Sequence, residues 1–285
     1  MTILVTGATG HLGALAITEL IDRGTPASEI AALVRDPAKA SELTALGVDV
    51  RVGSYDDPAT LDVALKGIDR VLLVSGSEIG RRVPQHQNVI DAAVRAGVSL
   101  VAYTSAPRAD VSPLELAKEH WATEQALAAS GLPHVVLRNS WYLENYTNQI
   151  ATHVEHGAVL GAAGDGRVSA AAQADYAAAA AVVVAEDGHA GQVYELGGDT
   201  AFTLTEYAAE VASAADAPVE YRDLTPTDYA AALVSAGLPE PYAEILADSD
   251  AGLKEGALLV ETGDLSRLIG RPTRSLAEAV RIAAA

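Results

Sequence analysis

Residues 1–13 read MTILVTGATGHLG. The run Thr2–Thr6 is apolar or β-branched and favours a strand. It runs straight into three glycines, Gly7, Gly10 and Gly13, and a helical pattern begins at His11 and continues to Arg23. A strand, a glycine-rich turn and a helix in that order build a cradle for a pyrophosphate. Gly7 suits a tight turn because glycine takes a positive φ without a Cβ clash. Gly10 leaves space for a phosphate at the first turn of the helix, where open N–H groups and the positive dipole end favour an anion. Gly13 lets the helix pack closely. The backbone of Gly7, Ala8, Thr9, Gly10, His11, Leu12 and Gly13 is therefore the first candidate cofactor contact.

Outward from this turn the chain alternates. Strand patterns occupy Ile30–Val34, Val48–Val52, Arg70–Val74, Ser99–Thr104 and His134–Arg138. Helical patterns lie between them at Pro37–Leu46, Pro58–Leu65, Val83–Ala96 and Ser112–Ala129. Short apolar strands separated by helices imply βαβ units and a parallel sheet buried on both faces. Right-handed crossovers wind such a sheet doubly. After Arg138 the alternation loosens. Helices are predicted over 145–156, 172–185, 204–214, 226–236, 239–247 and 275–285, and strands over 193–196 and 219–223. The stretch GAAGDGRV reads as a glycine-rich connection. The expected fold is α/β, a doubly wound, Rossmann-like parallel sheet with a smaller C-terminal α/β lobe. Residues 1–138 would form a dinucleotide-binding domain. Residues 139–285 would form mainly a substrate lobe, with segments returning to the sheet. Open α/β sheets bind ligands at the carboxyl ends of their strands.

Composition narrows the function. The chain has 285 residues, 49% of them hydrophobic, enough for a large core. It contains no cysteine, which excludes disulfides, thiolate metal sites and cysteine nucleophiles. The formal net charge of −19 repels nucleic acid phosphates, and no basic stripe offsets it. An anionic dinucleotide would then be captured by local donors. The seven histidines show no metal-ligand spacing, so no metal is expected. The alanine-rich stretch around Tyr176–Ala185 is too short to span a bilayer, and the N-terminus lacks a signal-peptide pattern. A cytoplasmic protein with neither nucleic acid partner nor membrane insertion is the expectation.

Side chains at the predicted strand ends suggest the ligand. Arg35 directly follows the second strand, where an arginine accommodates the adenosine 2′-phosphate and selects NADP over NAD. The fourth strand ends in LLVSGSE, whose Ser75, Gly76, Ser77 and Glu78 leave room for a ribose against the backbone. His120 and Glu124 are four apart on one helical face, and histidine is a candidate proton donor or shuttle. Tyr103 and Tyr146 stand behind it as candidate acids. The stretch LRNSWYLENY places Asn139, Trp141, Tyr142, Asn145 and Tyr146 where a flat, partly polar ligand would meet the nicotinamide.

With these motifs the chain resembles the NmrA-like atypical short-chain dehydrogenase/reductases. It looks most like their bacterial NAD(P)H:quinone oxidoreductases, which use neither zinc nor flavin. GATGHLG, LVRDPAKA, VPQHQNVIDAA and AYTSAPRADVSPL carry the resemblance, with LRNSWYLENY, GAAGDG and LADSD the more specific matches. The resemblance implies hydride transfer from NADPH to a small-molecule quinone. It implies a cofactor path over Gly7–Leu12, Arg35, Ser75–Glu78 and the segment Asn139, Ser140, Trp141, Tyr142, Leu143 and Glu144, with Arg167 bordering the site. Many relatives carry Lys where His120 stands. Standard short-chain dehydrogenases use a Tyr-x-x-x-Lys acid on the helix LELAKEHWATEQAL. Here Lys118 has Leu114 four residues before it and no tyrosine is present. Some relatives are non-catalytic NADP(H)-binding regulators, and fold alone does not separate the two. A homodimer is compatible with the resemblance.

Overall fold

The computed structural model describes residues 1–284. Its strands are β1 (Ile3–Val5), β2 (Ile30–Val34), β3 (Asp49–Val52), β4 (Arg70–Leu73), β5 (Leu100–Ser105), β6 (His134–Asn139), β7 (Ala158–Gly161), β8 (Val193–Leu196) and β9 (Glu220–Asp223). Its first helices are α1 (His11–Asp22), α2 (Ser41–Ala45), α3 (Pro58–Ala64), α4 (Arg82–Ala96), α5 (Glu115–Ser130), α6 (Glu144–Thr147) and α7 (Ile150–His156). Then follow α8 (Gln173–Ala185), α9 (Leu204–Ala215), α10 (Pro226–Ser235), α11 (Glu240–Lys254), α12 (Asp264–Ile269) and α13 (Leu276–Ala283).

Seven strands form one parallel sheet in the order β3-β2-β1-β4-β5-β6-β8. The order reverses between β1 and β4, so the sheet is doubly wound as its apolar runs foretold. β1, β2 and β5 are buried along their whole length, which explains the continuous apolar character of β1 and β2. Ile3 pairs with Ile30 on one side and Arg70 on the other, so the carboxyl ends of β1, β2 and β4 lie side by side. Leu61, Leu65, Val89, Leu127 and Tyr103 pack on one face of the sheet. On the other, α1 lies against α8, whose alanines from Ala177 to Ala181 are all buried.

The chain divides into two compact units. The first comprises Met1–Ala109, Lys118–Asn139 and Gln173–Tyr194. The second comprises Asp110–Ala117, Ser140–Ala172 and Glu195–Ala285. In the second unit β7 and β9 form a two-stranded parallel sheet, with Ala158 opposite Glu220. Its core gathers Tyr146, Val159, Phe202, Tyr207, Leu253 and Leu258.

Several local expectations shift. The stretch Pro37–Leu46 is a 3₁₀ turn, Pro37–Ala40, followed by the short α2. Asp36 caps that turn by accepting from the Ala38 amide. The helix around His120 begins at Glu115, later than Ser112, because Asp248 receives the Glu115 amide there. The predicted helix 145–156 breaks at Gln149 into α6 and α7. α11 continues seven residues past Ala247, to Lys254. β7, which ends on the first glycine of GAAGDGRV, and α12 are elements that periodicity missed. The predicted final helix 275–285 is observed as α13, and its last position, Ala285, lies outside the described residues.

Candidate functional site

The turn after β1 has the geometry that its glycines permit. Gly7 takes φ +58°, and its carbonyl accepts the Gly10 amide at 2.9 Å. A Cβ on Gly13 would lie 2.4 Å from the Gly7 carbonyl oxygen, so Gly13 lets α1 sit directly on the turn. Gly10 is the N-cap of α1 and brings no capping side chain, and the first turn of α1 holds no acidic residue. The positive end of this helix is thus uncompensated and accessible at Gly7, Thr9, Gly10 and His11, while Ala8 and Leu12 are buried beneath. Such a cradle fits an anionic phosphate.

The loop after β4 is built more firmly than its Ser-Gly-Ser sequence suggests. The Val74 amide donates to Thr6 Oγ1 at 2.9 Å. The Ser75 amide donates to Thr104 Oγ1 at 2.9 Å, and the Gly76 amide to His86 Nε2 at 2.9 Å. Three consecutive amides are therefore held by side chains from β1's end, β5 and α4. Arg82, one helical turn before His86, donates from Nε to the Gly76 carbonyl at 2.7 Å. Its Nη1 reaches Glu119 at 2.6 Å. Arg82 and His86 are buried. Because His86 Nε2 accepts, Nδ1 carries the proton and donates to Thr123 Oγ1, 3.0 Å away. Burial, then the neighbouring Arg82 charge, lowers the His86 pKa to about 3. His86 is a neutral strut.

Arg35 stands at the end of β2, and its guanidinium meets Glu78 of this loop at 3.2 Å. The structure therefore brings together two residues predicted to contact the cofactor. It also brings together Tyr103 and His120, whose hydroxyl and Nδ1 are 2.8 Å apart. Both are buried. Burial and the positive charge of Arg82 hold the His120 pKa well below the usual histidine range, and burial raises that of Tyr103. His120 and Glu124 share a helix but not a contact. Glu124 instead receives Arg138 through two bonds, 2.7 and 3.0 Å, with Ser105 Oγ on the same carboxylate. This buried bidentate pair joins the ends of β5 and β6. Asn139, the last residue of β6, has a buried Oδ1 with no hydrogen-bond partner among the described residues.

The remaining predicted residues belong to the second unit. Ser140 donates from Oγ to the Leu258 carbonyl and Leu143 enters the core, so both are framework groups there. Trp141 is half-buried against that core, and Tyr142 and Glu144 are half-buried. Tyr142 bridges to Ala171. Tyr146 stacks near Phe202 and Tyr207, with ring centroids 5.8 and 5.4 Å apart. Its hydroxyl is buried without a hydrogen-bond partner among the described residues, and burial holds its pKa well above the phenol range. Arg167 pairs with Glu206 at 3.2 Å and with the Ala201 carbonyl, at the start of α9.

The LADSD motif explains itself here. Asp250 accepts the Ala162 amide at 2.8 Å. Tyr221 and Asp223 accept the next two amides, Ala163 and Gly164, at 2.9 and 2.8 Å. The GAAGDG loop is thus held by side chains at three successive amides, as is the loop after β4. Burial, reinforced by the charge of Asp223, raises the Asp250 pKa to about 6. No group of three or more potential metal-ligating side chains exists among the described residues. No helix among them is long and apolar enough to cross a membrane.

Residue-type reasoning missed Arg82, His86 and Thr104. The available signal was polar residues at 82, 85 and 86 on a helix face that had to be buried.

Comparison with known proteins places this geometry. Residues 7–183 match the family model described as NAD(P)H-binding. Quinone oxidoreductase 2 of Escherichia coli is 52% identical over 98% of this chain and 97% of its own length. The crystal structure of the NADPH-dependent quinone oxidoreductase from Escherichia coli, complexed with NADPH, superposes with a TM-score of 0.96 at 52% identity, covering 98% of each chain. A Citrobacter triphenylmethane reductase complexed with NADP(H) superposes with a TM-score of 0.94 at 36% identity, covering 99% of this chain and 100% of that one. With the glycine turn, the reversal of strand order and correspondence along nearly its whole length to the Escherichia coli quinone oxidoreductase, the chain belongs to the NAD(P)H-binding family.

Proposed function

We propose that this chain is an NADPH-dependent quinone reductase. The observation that carries the reading is the near-complete correspondence of the chain with a quinone oxidoreductase solved with NADPH. The uncompensated N-terminus of α1 and the exposed Arg35 are what a phosphate-rich ligand needs, so the residues fit the cofactor. In this reading Gly7–Leu12 hold the pyrophosphate, Gly13 seats α1, Arg35 takes the 2′-phosphate and Ser75–Glu78 border the ribose. Asn139–Glu144, with Arg167, serve the nicotinamide end, and Tyr146 belongs to the substrate pocket.

NADPH, when bound, supplies a hydride. The chain's own contribution is to bind and orient. Gly76 is fixed at both its amide and its carbonyl, which sets one wall of the cofactor path. No candidate side chain is arranged as a strong acid. His120 is neutral at pH 7, and the Tyr103 and Tyr146 phenols are held protonated by burial. A quinone tolerates this, because its reduction yields an oxyanion delocalised into the ring. Water then supplies the proton. Cytoplasmic residence, as a monomer or homodimer without nucleic acid partners, completes the reading and accords with a cysteine-free, acidic chain.

The test is steady-state NADPH oxidation across a panel of quinones, with NADPH binding measured separately by calorimetry. Turnover well above the no-enzyme rate is expected. Tight NADP(H) binding with no turnover on any quinone would instead make the chain a non-catalytic redox regulator.

A further inference from the structure

We infer that Glu78 is an internal stand-in for the cofactor's 2′-phosphate, and that Arg81 and Gln85 join Arg35 in holding that phosphate. The inference rests on the NADPH reading and adds residues to it.

Three elements converge on one carboxylate. Arg35, after β2, donates from Nη1 to Glu78 Oε1 at 3.2 Å. Gln85 of α4 donates from Nε2 to Glu78 Oε2 at 3.2 Å. Arg81, the N-cap of α4, brings Nη1 to 3.7 Å from the same Oε2. Two guanidiniums and an amide converge here between two carboxylates, Glu78 and Asp56, and Glu78 is the one that reaches Arg35. These donors suit a group with higher charge and three acceptor oxygens. Asp56 supports the set from behind. It accepts Arg81 Nη2 at 2.8 Å and Gln85 Nε2 at 3.2 and 3.3 Å, which fixes both side chains beside Glu78. Arg35 is held by Glu78 alone among the described side chains that accept from it.

The location is accessible. The Arg35 and Arg81 side chains are 78% and 61% exposed, so a phosphate from solvent reaches them without opening the core. Ion pairs this exposed are weak and easily exchanged. A 2′-phosphate arriving at Arg35 meets Glu78 as a like charge within reach and must turn it aside. A 2′-hydroxyl makes no such demand, and Glu78 keeps its donors. Glu78 thus sets how strongly the site prefers a phosphorylated ribose. It lowers the affinity that the two arginines could otherwise give, and keeps them paired when no cofactor is present.

The experiment is calorimetric titration of the full chain with 2′,5′-ADP and with 5′-AMP, which differ by the 2′-phosphate alone. Arg81→Ala should weaken 2′,5′-ADP by roughly three- to tenfold and leave 5′-AMP within about twofold, the range of one charge-assisted contact at a wet site. Glu78→Gln should strengthen 2′,5′-ADP, and so raise the ratio of its affinity to that of 5′-AMP, by about threefold or more. In a chain already carrying Arg35→Ala and Arg81→Ala, Glu78→Gln should strengthen 2′,5′-ADP by less than it does in the wild-type background, since no arginine is left to be released and only the like-charge repulsion is relieved. An unchanged affinity ratio in Arg81→Ala, or a weaker one in Glu78→Gln, overturns the inference. Arg35→Ala separates this failure from that of the parent reading. If it alone collapses the ratio, the NADPH reading stands without Arg81 and Glu78. If it leaves the ratio intact, Arg35 is not the phosphate residue and the NADPH reading loses its selectivity element as well.

Discussion

The Gly76 amide and His86 Nε2 are 2.9 Å apart, and the imidazole accepts. A buried side chain on α4 therefore decides where a loop peptide at the carboxyl end of β4 sits. Arg82 makes the matching bond to the Gly76 carbonyl, so the peptide groups on both sides of Gly76 are anchored to one helix face. Leucine at position 86 would leave the Gly76 amide unpaired in a half-buried place, at a cost of about 1–3 kcal/mol.

His86→Leu is accordingly expected to weaken NADPH binding about tenfold, since part of that cost is recovered only by moving the loop. His86→Gln can present an acceptor to the same amide and should restore much of the affinity. Calorimetry with NADPH and a thermal melt of each variant checks this. A folded His86→Leu protein with wild-type affinity would detach the loop from cofactor binding.

Proton delivery is expected to need no single side chain. General acid catalysis contributes about 10²–10⁴-fold where it operates. His120→Phe, Tyr103→Phe and Tyr146→Phe should each lower kcat/KM for a quinone by roughly tenfold or less, below that range. The pH profile should show no step near the ordinary histidine pKa in wild type, because His120 is neutral there already. A thousandfold loss in one variant with NADPH affinity intact would make that residue the catalytic acid.

Acid should destabilise the fold. His86, His120 and His153 all have native pKa values below the unfolded 6.5, burial being the main cause. The unfolded chain therefore binds more protons below pH 6.5, and stability present above that pH is lost as pH falls. Asp250 acts with the opposite sign. Its native value of about 6 lies above the ordinary 3.8, so it favours the folded state as pH drops from about 6 towards 4. Each proton is worth about 1.4 kcal/mol per pH unit, and the histidines outnumber the aspartate. Urea midpoints should fall from pH 7 to pH 5, more steeply in Asp250→Asn and less steeply in His86→Gln. A flat or rising wild-type profile would contradict the buried neutral histidines.

The glycines should separate by role. At Gly13 a methyl meets backbone at 2.4 Å, which cannot yield without moving α1 off the turn. Gly13→Ala should lower the melting temperature strongly. At Gly10 a Cβ meets only the Gly7 carbonyl oxygen at 3.2 Å, a contact that small shifts relieve. Gly10→Val should therefore fold and lose NADPH, because its branches occupy the phosphate's space. Circular dichroism and calorimetry on the two variants distinguish them, and retained NADPH affinity in Gly10→Val would remove the cradle from the mechanism.

Sequence by itself determined what depends on near neighbours. The strand, glycine turn and helix at residues 3–22 are local in cause, since Gly7 and Gly10 interact with each other and with the helix they start. Short apolar runs at β1 and β2, alternating with helical segments, read as strands buried on both faces, so the parallel sheet followed. The place of Arg35 followed too, because it is the residue after β2. Tertiary structure alone decided which polar groups meet. Helical spacing put His120 and Glu124 on one face, yet one turned to Tyr103 and the other to Arg138, because β5 and β6 present those partners beneath α5. The four-residue β7 exists only because β9, far along the chain, lies beside it, and so short a run carries no decisive period of its own. Arg82 and His86 gave a polar pattern without a stated target. Their target, the Gly76 peptide, is set by the packing of α4 against the end of β4, and a hydrogen bond between distant segments has no periodicity to betray it.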